Sequence, residues 1–217
     1  MENRNIEDYL KNIYSIKIAS GKVTTSHLAE KMNISAAAVS EMVSKLSKSG
    51  YISNIPYKGF ELTGKGEKIA VNLVRKHRLW ETFLVKHLKY PWDKVHAEAE
   101  RLEHSSSDEL MKNLEVFMNF PKYDPHGEPI PDANGNIDRC NDFQLSKGEA
   151  GVTYIIKRVS DESSEILAYL SKIGVKLNDK IKILEKINFD NSVQIQNKSL
   201  KLFLSEKLAN CIFVSEQ

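Results

Sequence analysis

The chain contains little cysteine: Cys140 and Cys211 are its two cysteines in 217 residues. They are too few and too far apart for a disulfide framework or a thiolate metal motif. This scarcity excludes a small disulfide-stapled secreted module and is typical of a reducing compartment. We therefore expect the protein in the cytoplasm.

The chain also lacks a strong net charge and a long apolar run. It has 31 Lys and Arg against 29 Asp and Glu, for a net charge of +2, and its mean hydropathy is −0.40. This balance gives no global attraction to nucleic acid, to a membrane or to an acidic partner. The first segment, MENRNIEDYLKNIYSIKIASG, has acids within its apolar stretch. It matches neither a signal peptide nor a span of about 20 apolar residues, so we expect no export and no membrane anchor.

Charge is nevertheless distributed unevenly. Residues 1–75 hold 11 Lys and Arg against 7 Asp and Glu. Residues 76–141 hold 9 against 12, together with five of the six histidines, and residues 142–217 hold 11 against 10. A basic first segment followed by an acidic, histidine-rich middle indicates that the two segments have different roles.

The first segment has the element order of a winged helix-turn-helix. An apolar stripe predicts a first helix that ends near Gly21. Thr24 or Thr25 can cap a second helix, and Ser35 can cap a third that ends at Gly50. The segment YISNIPYKGFEL then predicts a short β-hairpin.

In such a domain the second helix of the pair enters the major groove and the hairpin tip lies along the phosphates. Glu41 can accept from a cytosine amine, and Lys45 and Lys58 can reach phosphates. The alternative is a protein-interaction domain, because this element order also occurs in folds that do not bind DNA. The outward face of the third helix comprises Ser35, Ala36, Ala37, Ser40, Glu41, Ser44, Lys45 and Lys48.

The remaining sequence predicts helices first and strands later. A long helix runs from Thr63 towards Pro91, and Asp93 and Ser107 can cap two more. Four of the six prolines lie in residues 121–138, which predicts a turn-rich linker or a domain boundary. Beyond about residue 143, five short alternating runs around one helical insert predict a small β-barrel.

The middle segment gathers side chains that bind metal ions. His77 and Glu81 form an i, i+4 pair. Any one such residue is more often a solvated surface group, but adjacent carboxylates repel one another unless a cation joins them. His87 and His126 have no comparable partners and are interpreted as ordinary surface or capping histidines. Four further side chains share one helix face within an arc of roughly 100°: His96, Glu100, Glu103 and His104.

Carboxylate and imidazole donors favour Mn²⁺ or Fe²⁺, although Zn²⁺, Co²⁺ and Ni²⁺ bind the same atoms. A metallohydrolase is one alternative, since two-metal hydrolases use the same side chains. The sequence lacks HExxH, a nucleophile elbow and a phosphate loop, so we expect no enzyme. The other alternative is a winged-helix regulator gated by another signal, in which the acidic and histidine cluster is only structural.

Six segments together resemble the metal-dependent transcriptional repressors of the diphtheria toxin repressor type: IEDYLKNIY, ISAAAVSEMVSKLSKSGYI, PYKGFELTGKGEKIA, RKHRLWE, HAEAERLEH and FPKYDPHGEPIP. The resemblance covers nearly the whole chain. It implies a mainly α protein with a winged helix-turn-helix at 1–72, a helical metal-binding and dimerisation domain at 73–141, and an SH3-like (FeoA-like) β-barrel at 142–217. It also implies a homodimer that binds a palindromic operator when loaded with metal and represses metal-uptake genes.

The resemblance further implies two metal sites. Oxygen ligands at Asp8 and Glu100 are similar to those of the manganese-responsive members, which implies Mn²⁺, with Fe²⁺ as the second choice. One compact manganese subgroup has a glutamate ligand where this chain has Lys11, a cation that would repel a closely spaced second ion. The implied primary ligands are Asp8, Glu100, Glu103 and His104. The implied ancillary ligands are His77, Glu81 and His96, with Asp161 and Glu162 as candidates from the C-terminal domain.

The resemblance also implies which residues face DNA. Ala37 and Glu41 stand where the iron-responsive members have Pro and Gln. The implied groove-facing set is Ser35, Ala37, Ala38, Ser40, Glu41 and Lys45, with Tyr57 and Lys58 on the wing.

Overall fold

The computed structural model describes residues 2–55, 59–138, 140–161 and 163–216. Tyr57, Lys58 and Glu162 lie outside the described residues. No described helix is long and apolar enough to cross a membrane. The chain divides into two compact units: Met1–His77 with Glu103–Ser106 and Pro131–Asn136, and Arg78–Leu102 with Ser107–Ile130 and Ile137–Gln217.

The first helix of the first unit follows the predicted apolar stripe. Helix α1 (Glu2–Ser20) buries Tyr9, Leu10 and Ile13 on one face. The helix is followed by Gly21, whose φ of 71° is a conformation that glycine adopts without a steric penalty. The predicted first helix and its end are therefore confirmed.

Helices α2 (Thr25–Met32) and α3 (Ala36–Lys48) form the predicted helix-turn-helix pair. The side chain of Thr24 accepts a hydrogen bond from the first turn of α2, and that of Ser35 accepts one from the first turn of α3. These caps satisfy backbone N–H groups that have no partner within the helix. Asn33, with a φ of 53°, ends α2 at the predicted position.

The wing is an antiparallel hairpin of β1 (Ile52–Ile55) and β2 (Gly59–Leu62). The backbone N–H of Phe60 donates to the carbonyl of Val23, which fixes the hairpin to the segment before α2. Gly59 has a φ of 105°, and a Cβ at this position would lie 2.0 Å from the Val23 oxygen. Only glycine therefore fits where the hairpin makes this contact.

Three further helices follow the wing: α4 (Gly64–Lys86), α5 (Val95–Glu103) and α6 (Asp108–Phe117). Ser107 caps α6 as predicted, by accepting from the N–H of Leu110. In the second unit, residues of α4 and α6 and one residue of the turn-rich stretch form an apolar core: Leu79, Met111, Leu114 and Ile130.

The stretch 121–138 is rich in turns, as predicted. In the second unit, the Asp124 carboxylate accepts from the backbone N–H groups of His126 at 2.8 Å and Glu128 at 2.9 Å. In the first unit, Asp132 organises its own turn in the same way. Aspartate side chains commonly stabilise such turns by accepting from the backbone two residues on.

The described C-terminal residues form a six-stranded antiparallel sheet in the order β3-β8-β4-β5-β6-β7. The strands are β3 (Phe143–Gln144), β4 (Thr153–Val159), β5 (Lys180–Lys186), β6 (Val193–Asn197), β7 (Leu200–Leu204) and β8 (Ile212–Glu216). The five predicted runs correspond to β4–β8, and the helical insert is α7 (Ser164–Lys172). The prediction missed β3 and the short helix α8 (Glu206–Cys211). Closure of the sheet into a barrel stays a prediction.

Candidate metal centres and DNA-binding helix

Five side chains of the first unit meet at the end of α5, and we call them the Glu103 cluster: Asp8, Lys11, His77, Glu103 and His104. His104 Nε2 lies 2.9 Å from Asp8 Oδ1 and 3.5 Å from Glu103 Oε1. The ligand atoms of Asp8, Glu103 and His104 all lie within 4.8 Å of one another. The structure thus brings a residue of α1 together with two predicted ligands that are distant in sequence.

Glu103 is fully buried, at 0% exposure. Lys11 Nζ donates to both of its carboxylate oxygens at 2.8 Å, and His77 Nδ1 lies 2.5 Å from Oε2. A buried carboxylate is strongly destabilising unless it is paired and hydrogen-bonded, which Lys11 and His77 accomplish here. On the other side of the cluster, Glu7 Oε2 lies 2.7 Å from His104 Nδ1 and orients that imidazole with Nε2 towards Asp8.

Glu100 is the predicted ligand that lies one turn before Glu103 on α5. It is half-buried, and its Oε2 lies 3.8 Å from Nε2 of His96 on the same helix. The helix therefore presents Glu100 beside an imidazole, as the i, i+4 spacing predicts.

A second group lies within the second unit, and we call it the Glu81 cluster: Glu81, His96, Asp124, His126 and Asp161. His96 Nδ1 lies 3.4 Å from Glu81 Oε1 and 4.0 Å from Asp161 Oδ2. His126 Nδ1 lies 3.6 Å from Glu81 Oε2. The cluster thus contains two predicted ancillary residues and the candidate Asp161, while His77 lies one turn before Glu81 on α4.

The interpretation of His126 as a surface or capping histidine is wrong, because its side chain is completely buried. Its ring stacks on Trp92, and its Nε2 lies 2.8 Å from the Trp92 carbonyl oxygen. Asp124, which the sequence did not single out, is buried beside it. The available signal was the motif DPHGEP, in which a proline-bounded turn places a carboxylate and an imidazole two residues apart. His87, by contrast, is exposed, as expected.

The Glu81 cluster holds a proton at neutral pH. Burial lowers the pKa of the His126 imidazole, but the carboxylates of Glu81 and Asp124 outweigh it and raise that pKa to about 9. Burial and the charge of Glu81 raise the pKa of the Asp124 carboxyl to about 7, against the opposing effect of the Arg78 guanidinium. Closely spaced buried carboxyl groups favour a bound cation, and the proton on His126 supplies one.

Both clusters fit a divalent metal ion. The buried atoms of these clusters without a hydrogen-bond partner among the described residues include His104 Nε2, Asp124 Oδ2 and His126 Nδ1. Leaving such an atom unsatisfied costs roughly 1–3 kcal/mol. Carboxylate oxygens and imidazole nitrogens are ligands that Mn²⁺, Fe²⁺ and Zn²⁺ accept.

Helix α3 presents the predicted face to solvent. Val39 and Leu46 point into the core of the first unit. Lys45 forms an ion pair with Glu41 at 2.9 Å, and its hydrogen bond lowers the pKa of the Glu41 carboxyl. The face is small at its N-terminal end and charged one turn later, and its exposed residues are Ser35, Ala36, Ala37, Ala38, Ser40, Glu41, Ser44, Lys45 and Lys48.

Family models match three consecutive parts of the chain. The iron dependent repressor N-terminal DNA binding domain matches residues 1–60, the iron dependent repressor metal binding and dimerisation domain matches 63–132, and the FeoA domain matches 143–216. The iron-dependent repressor IdeR of Mycobacterium tuberculosis is 30% identical over 189 residues, which cover 82% of each chain.

Two solved structures are similar along almost the entire chain. A manganese-dependent transcriptional repressor in complex with manganese is 36% identical, with a TM-score of 0.91, over 98% of this chain and 100% of that chain. The manganese regulator SloR is 37% identical, with a TM-score of 0.84, over 98% of both chains.

A winged helix-turn-helix combined with carboxylate and imidazole clusters defines the class of metal-dependent DNA-binding regulators. The similarities in sequence and structure extend over most of the chain. The chain belongs to the iron-dependent repressor family, the metal-dependent transcriptional repressors of the diphtheria toxin repressor type. The resemblance inferred from its motifs is therefore confirmed, and the family's members are transcriptional regulators rather than enzymes.

Proposed function

We propose that this protein binds a palindromic operator as a homodimer when its clusters hold Mn²⁺, and that it represses metal-uptake genes. One observation carries this proposal: Asp8 of α1 and His104, which follows α5, meet at 2.9 Å in the Glu103 cluster. Asp8 belongs to the DNA-binding part of the chain, and Glu103 and His104 to the part that matches the metal-binding domain. An ion bound at this point would join the two.

The path from the cluster to DNA runs through packed helices of the first unit. Helix α1 packs against α2 and β2, and α2 packs against α3. A divalent cation bound there would supply positive charge that stabilises the carboxylates and the imidazole close together. Asp8 would then fix the position of α1. Helix α1 in turn would fix the helix-turn-helix pair, α2 and α3, in the position that presents α3 to the major groove. Because metal and DNA favour the same arrangement, their affinities are coupled reciprocally, typically by about 1–3 kcal/mol.

The ligand chemistry supports Mn²⁺ as the physiological ion, with Fe²⁺ as the second choice. The proposed primary ligands are Asp8, Glu100, Glu103 and His104. The proposed ancillary ligands are His77, Glu81, His96 and Asp161, to which we add Asp124 and His126. The donors are oxygen and nitrogen without sulfur, which suits hard and borderline ions, so we expect Zn²⁺, Co²⁺ and Ni²⁺ to substitute in vitro.

An exposed aromatic surface on the second unit supports the homodimer. Phe117 of α6 and Phe120, which follows it, are 64% and 61% exposed. Phe117 lies edge-on to Phe83 and beside His87, with ring centroids 6.1 Å and 5.0 Å apart. Exposed aromatic side chains that contact other rings, as Phe117 does, are found at protein interfaces. It lies in the part that matches the metal binding and dimerisation domain.

We also propose that the chain has three domains, at residues 1–72, 73–141 and 142–217, and that the C-terminal sheet closes into an SH3-like barrel. Two operator half-sites about one turn of the DNA double helix apart would suit two copies of α3 related by the dimer axis.

The test compares Asp8→Asn with the matched control Glu185→Gln, which removes an exposed carboxylate on β5. Full-length protein treated with a chelator is titrated with MnCl₂ against a duplex selected from a random pool by the Mn²⁺-loaded wild type. We expect Mn²⁺ to raise the DNA affinity of wild type and control by about 5–150-fold. We expect no such rise for Asp8→Asn, with an unchanged far-UV circular dichroism spectrum.

Retention of full Mn²⁺ activation by Asp8→Asn would contradict the proposed coupling. If calorimetry shows no Mn²⁺ or Fe²⁺ binding at micromolar concentration, the result favours a winged-helix regulator gated by another signal. Phosphatase or peptidase turnover without DNA binding in any metal state favours a metallohydrolase.

A further inference from the structure

The outer side of the C-terminal sheet gathers lysines that none of the candidate sites uses. Successive residues of a strand face opposite sides of a sheet, and on β5 the fully buried Ile181 and Ile183 mark the inner side. The residues that alternate with them face outward. We call four exposed lysines on and beside β5 and β7 the lysine face: Lys180, Lys182, Lys198 and Lys201.

Strand pairing brings the four lysines close together. Lys182 lies opposite Gln196 of β6, and Gln196 lies opposite Lys201 of β7. Because neighbouring strands are about 4.8 Å apart, the Cα atoms of Lys182 and Lys201 are about 10 Å apart. Lys180 precedes Lys182 by two residues, about 7 Å along β5, and Lys198 lies in the turn between β6 and β7. The four side chains therefore share an area about 10 Å across.

Most of the positive charge on the lysine face is not balanced by carboxylates. Lys198 Nζ lies 3.5 Å from Asp179 Oδ1. Within the described part of the chain, the side chains of Lys180, Lys182 and Lys201 make neither an ion pair nor a hydrogen bond. Ammonium groups placed together repel one another, and a bound polyanion relieves that repulsion.

The composition of the lysine face fits a phosphate backbone rather than a protein surface. Protein interfaces are enriched in arginine and aromatic side chains and depleted in lysine, whereas this face has four lysines with Gln196 between them. Lysine is a flexible point charge, which suits contacts with phosphates that carry no sequence information. Duplex DNA carries one negative charge per about 1.7 Å of its axis, so about 10 Å of duplex presents about six phosphates. The chain belongs to a family of DNA-binding regulators, so duplex DNA is a polyanion that it encounters.

We propose that the lysine face is a second DNA-contacting surface, which binds phosphates of duplex DNA without reading the base sequence. It acts separately from α3, because its lysines contact phosphates through charge alone and need neither the operator sequence nor a bound metal ion. The face therefore contributes to non-specific affinity, which keeps the protein on DNA while it searches for an operator. This inference goes beyond the proposed metal-dependent function and does not rest on it.

The experiment measures binding of chelator-treated, full-length protein to a fluorescently labelled duplex that lacks the operator. Fluorescence anisotropy gives the affinity at a series of NaCl concentrations, and the logarithm of the affinity falls by about 0.9 per phosphate contact for each tenfold rise in salt. The test variant is Lys180→Gln/Lys182→Gln/Lys201→Gln. We expect it to bind more weakly than the wild type, with a slope smaller in magnitude by about 2.7 per bound chain, because three contacts are removed. Between 50 and 200 mM NaCl, the affinity of the wild type should therefore fall about 40-fold more than that of this variant.

A matched control separates local contact from net charge. Lys147→Gln/Lys172→Gln/Lys207→Gln removes three exposed lysines from other parts of the same segment and has the same net charge as the test variant. A general electrostatic effect would change both slopes equally. We expect the control to keep the wild-type slope, and equal slopes in the two variants overturn the inference.

A further variant tests whether positive charge at these positions is what the DNA contacts require. Lys180→Arg/Lys182→Arg/Lys201→Arg keeps three cations on the lysine face, so it should keep the wild-type affinity and slope. A loss as large as that of the glutamine variant overturns the inference.

The inference is also overturned if the wild type does not bind this duplex at 50 mM NaCl, or if the test variant keeps the wild-type slope. Vesicles of phosphatidylserine provide the alternative polyanion. If the test substitutions abolish vesicle binding and leave duplex binding unchanged, the face contacts membranes and the inference is overturned. A failure of Mn²⁺-dependent operator binding overturns the proposed function alone, because this measurement uses metal-free protein and no operator.

Discussion

Each of the two clusters surrounds a buried carboxylate, but only the Glu103 cluster includes a lysine beside its imidazoles. In the Glu103 cluster, a buried carboxylate is held by the lysine Nζ at 2.8 Å from both oxygens. In the Glu81 cluster, the buried carboxylate lies 3.4 Å and 3.6 Å from the imidazoles of His96 and His126. An imidazole can serve as a metal ligand, but it must lose its proton before that nitrogen can bind a metal ion. If both clusters bind an ion as proposed, we expect binding at the Glu81 cluster to release protons.

The largest expected effect is on folding stability, through Glu103→Gln. This change leaves Lys11 largely buried without its carboxylate, and breaking a buried ion pair in this way typically costs about 3–5 kcal/mol. We expect a loss of that size in the free energy of unfolding of the metal-free protein, measured by urea denaturation at pH 7. The exposed control Glu185→Gln should change little, and a similarly small change in Glu103→Gln would contradict the role given to Lys11.

A second change should disturb the Glu81 cluster alone. Gly127 follows His126 with a φ of 89°, and a Cβ there would lie 2.2 Å from the Lys157 oxygen and 2.7 Å from the Arg158 Cβ. We expect Gly127→Ala to lower the free energy of unfolding by about 2 kcal/mol and to displace His126. Mn²⁺ calorimetry should then show weaker binding at this cluster and unchanged binding at the Glu103 cluster.

Gly151→Ala is the matched control for that substitution. Its φ of 88° is nearly the same, but no atom of a described residue beyond its chain neighbours lies within 4 Å of the added Cβ. It should show the backbone strain without the steric clash and without any effect on Mn²⁺ binding. Equal losses of Mn²⁺ binding in the two variants would contradict the placement of His126.

The number of protons released when Mn²⁺ binds should also distinguish the two clusters, with a smaller effect than the substitutions above. The pKa of His126 is raised to about 9 and that of Asp124 to about 7, so the Glu81 cluster is protonated at pH 7. Each proton displaced makes the observed Mn²⁺ affinity rise by up to about tenfold per pH unit below the relevant pKa. We expect this affinity to rise between pH 6 and pH 9, with proton release detected by calorimetry in buffers of different ionisation enthalpy. His126→Gln should release fewer protons, and unchanged release would contradict the assignment.

The smallest expected effect comes from Glu41→Gln on the exposed face of α3. Because Glu41 and its partner Lys45 are exposed, removing this charge should leave the melting temperature and Mn²⁺ binding at both clusters unchanged. The preferred operator bases should nevertheless change, as measured by selection from a random pool of duplexes. Altered Mn²⁺ binding in this variant would show that the clusters depend on more of the chain than their own side chains.

Local chemistry explains which parts of the fold were predictable. The caps Thr24, Ser35 and Ser107 were identified because a hydroxyl before a helix satisfies N–H groups in the adjoining turn. The strand β3 was missed because two residues, Phe143 and Gln144, are too short to show a period. The same limitation applies to the six-residue helix α8.

Sequence patterns predicted only some of the residues in the candidate sites. The spacing of Glu100, Glu103 and His104 was visible because helical geometry relates nearby residues, although α5 ends at Glu103 and His104 follows it. Asp8 has no such relation to them, and only the family resemblance suggested it. His126 was missed because its burial depends on contacts with Trp92 and Glu81, which are distant in sequence. Tertiary contacts of this kind produce no periodic pattern in the sequence.

A single backbone hydrogen bond has a further consequence for the Glu81 cluster. The N–H of Val159, the last residue of β4, donates to the carbonyl of His126 at 2.9 Å. Asp161 follows Val159 by two residues. This one hydrogen bond therefore fixes the segment that carries Asp161 against the segment that carries His126. The conformational entropy of these two backbone segments is therefore lost when the chain folds and does not have to be lost again when a ligand binds. If this cluster binds an ion as proposed, that ion would have to order only a few side chains rather than two backbone segments.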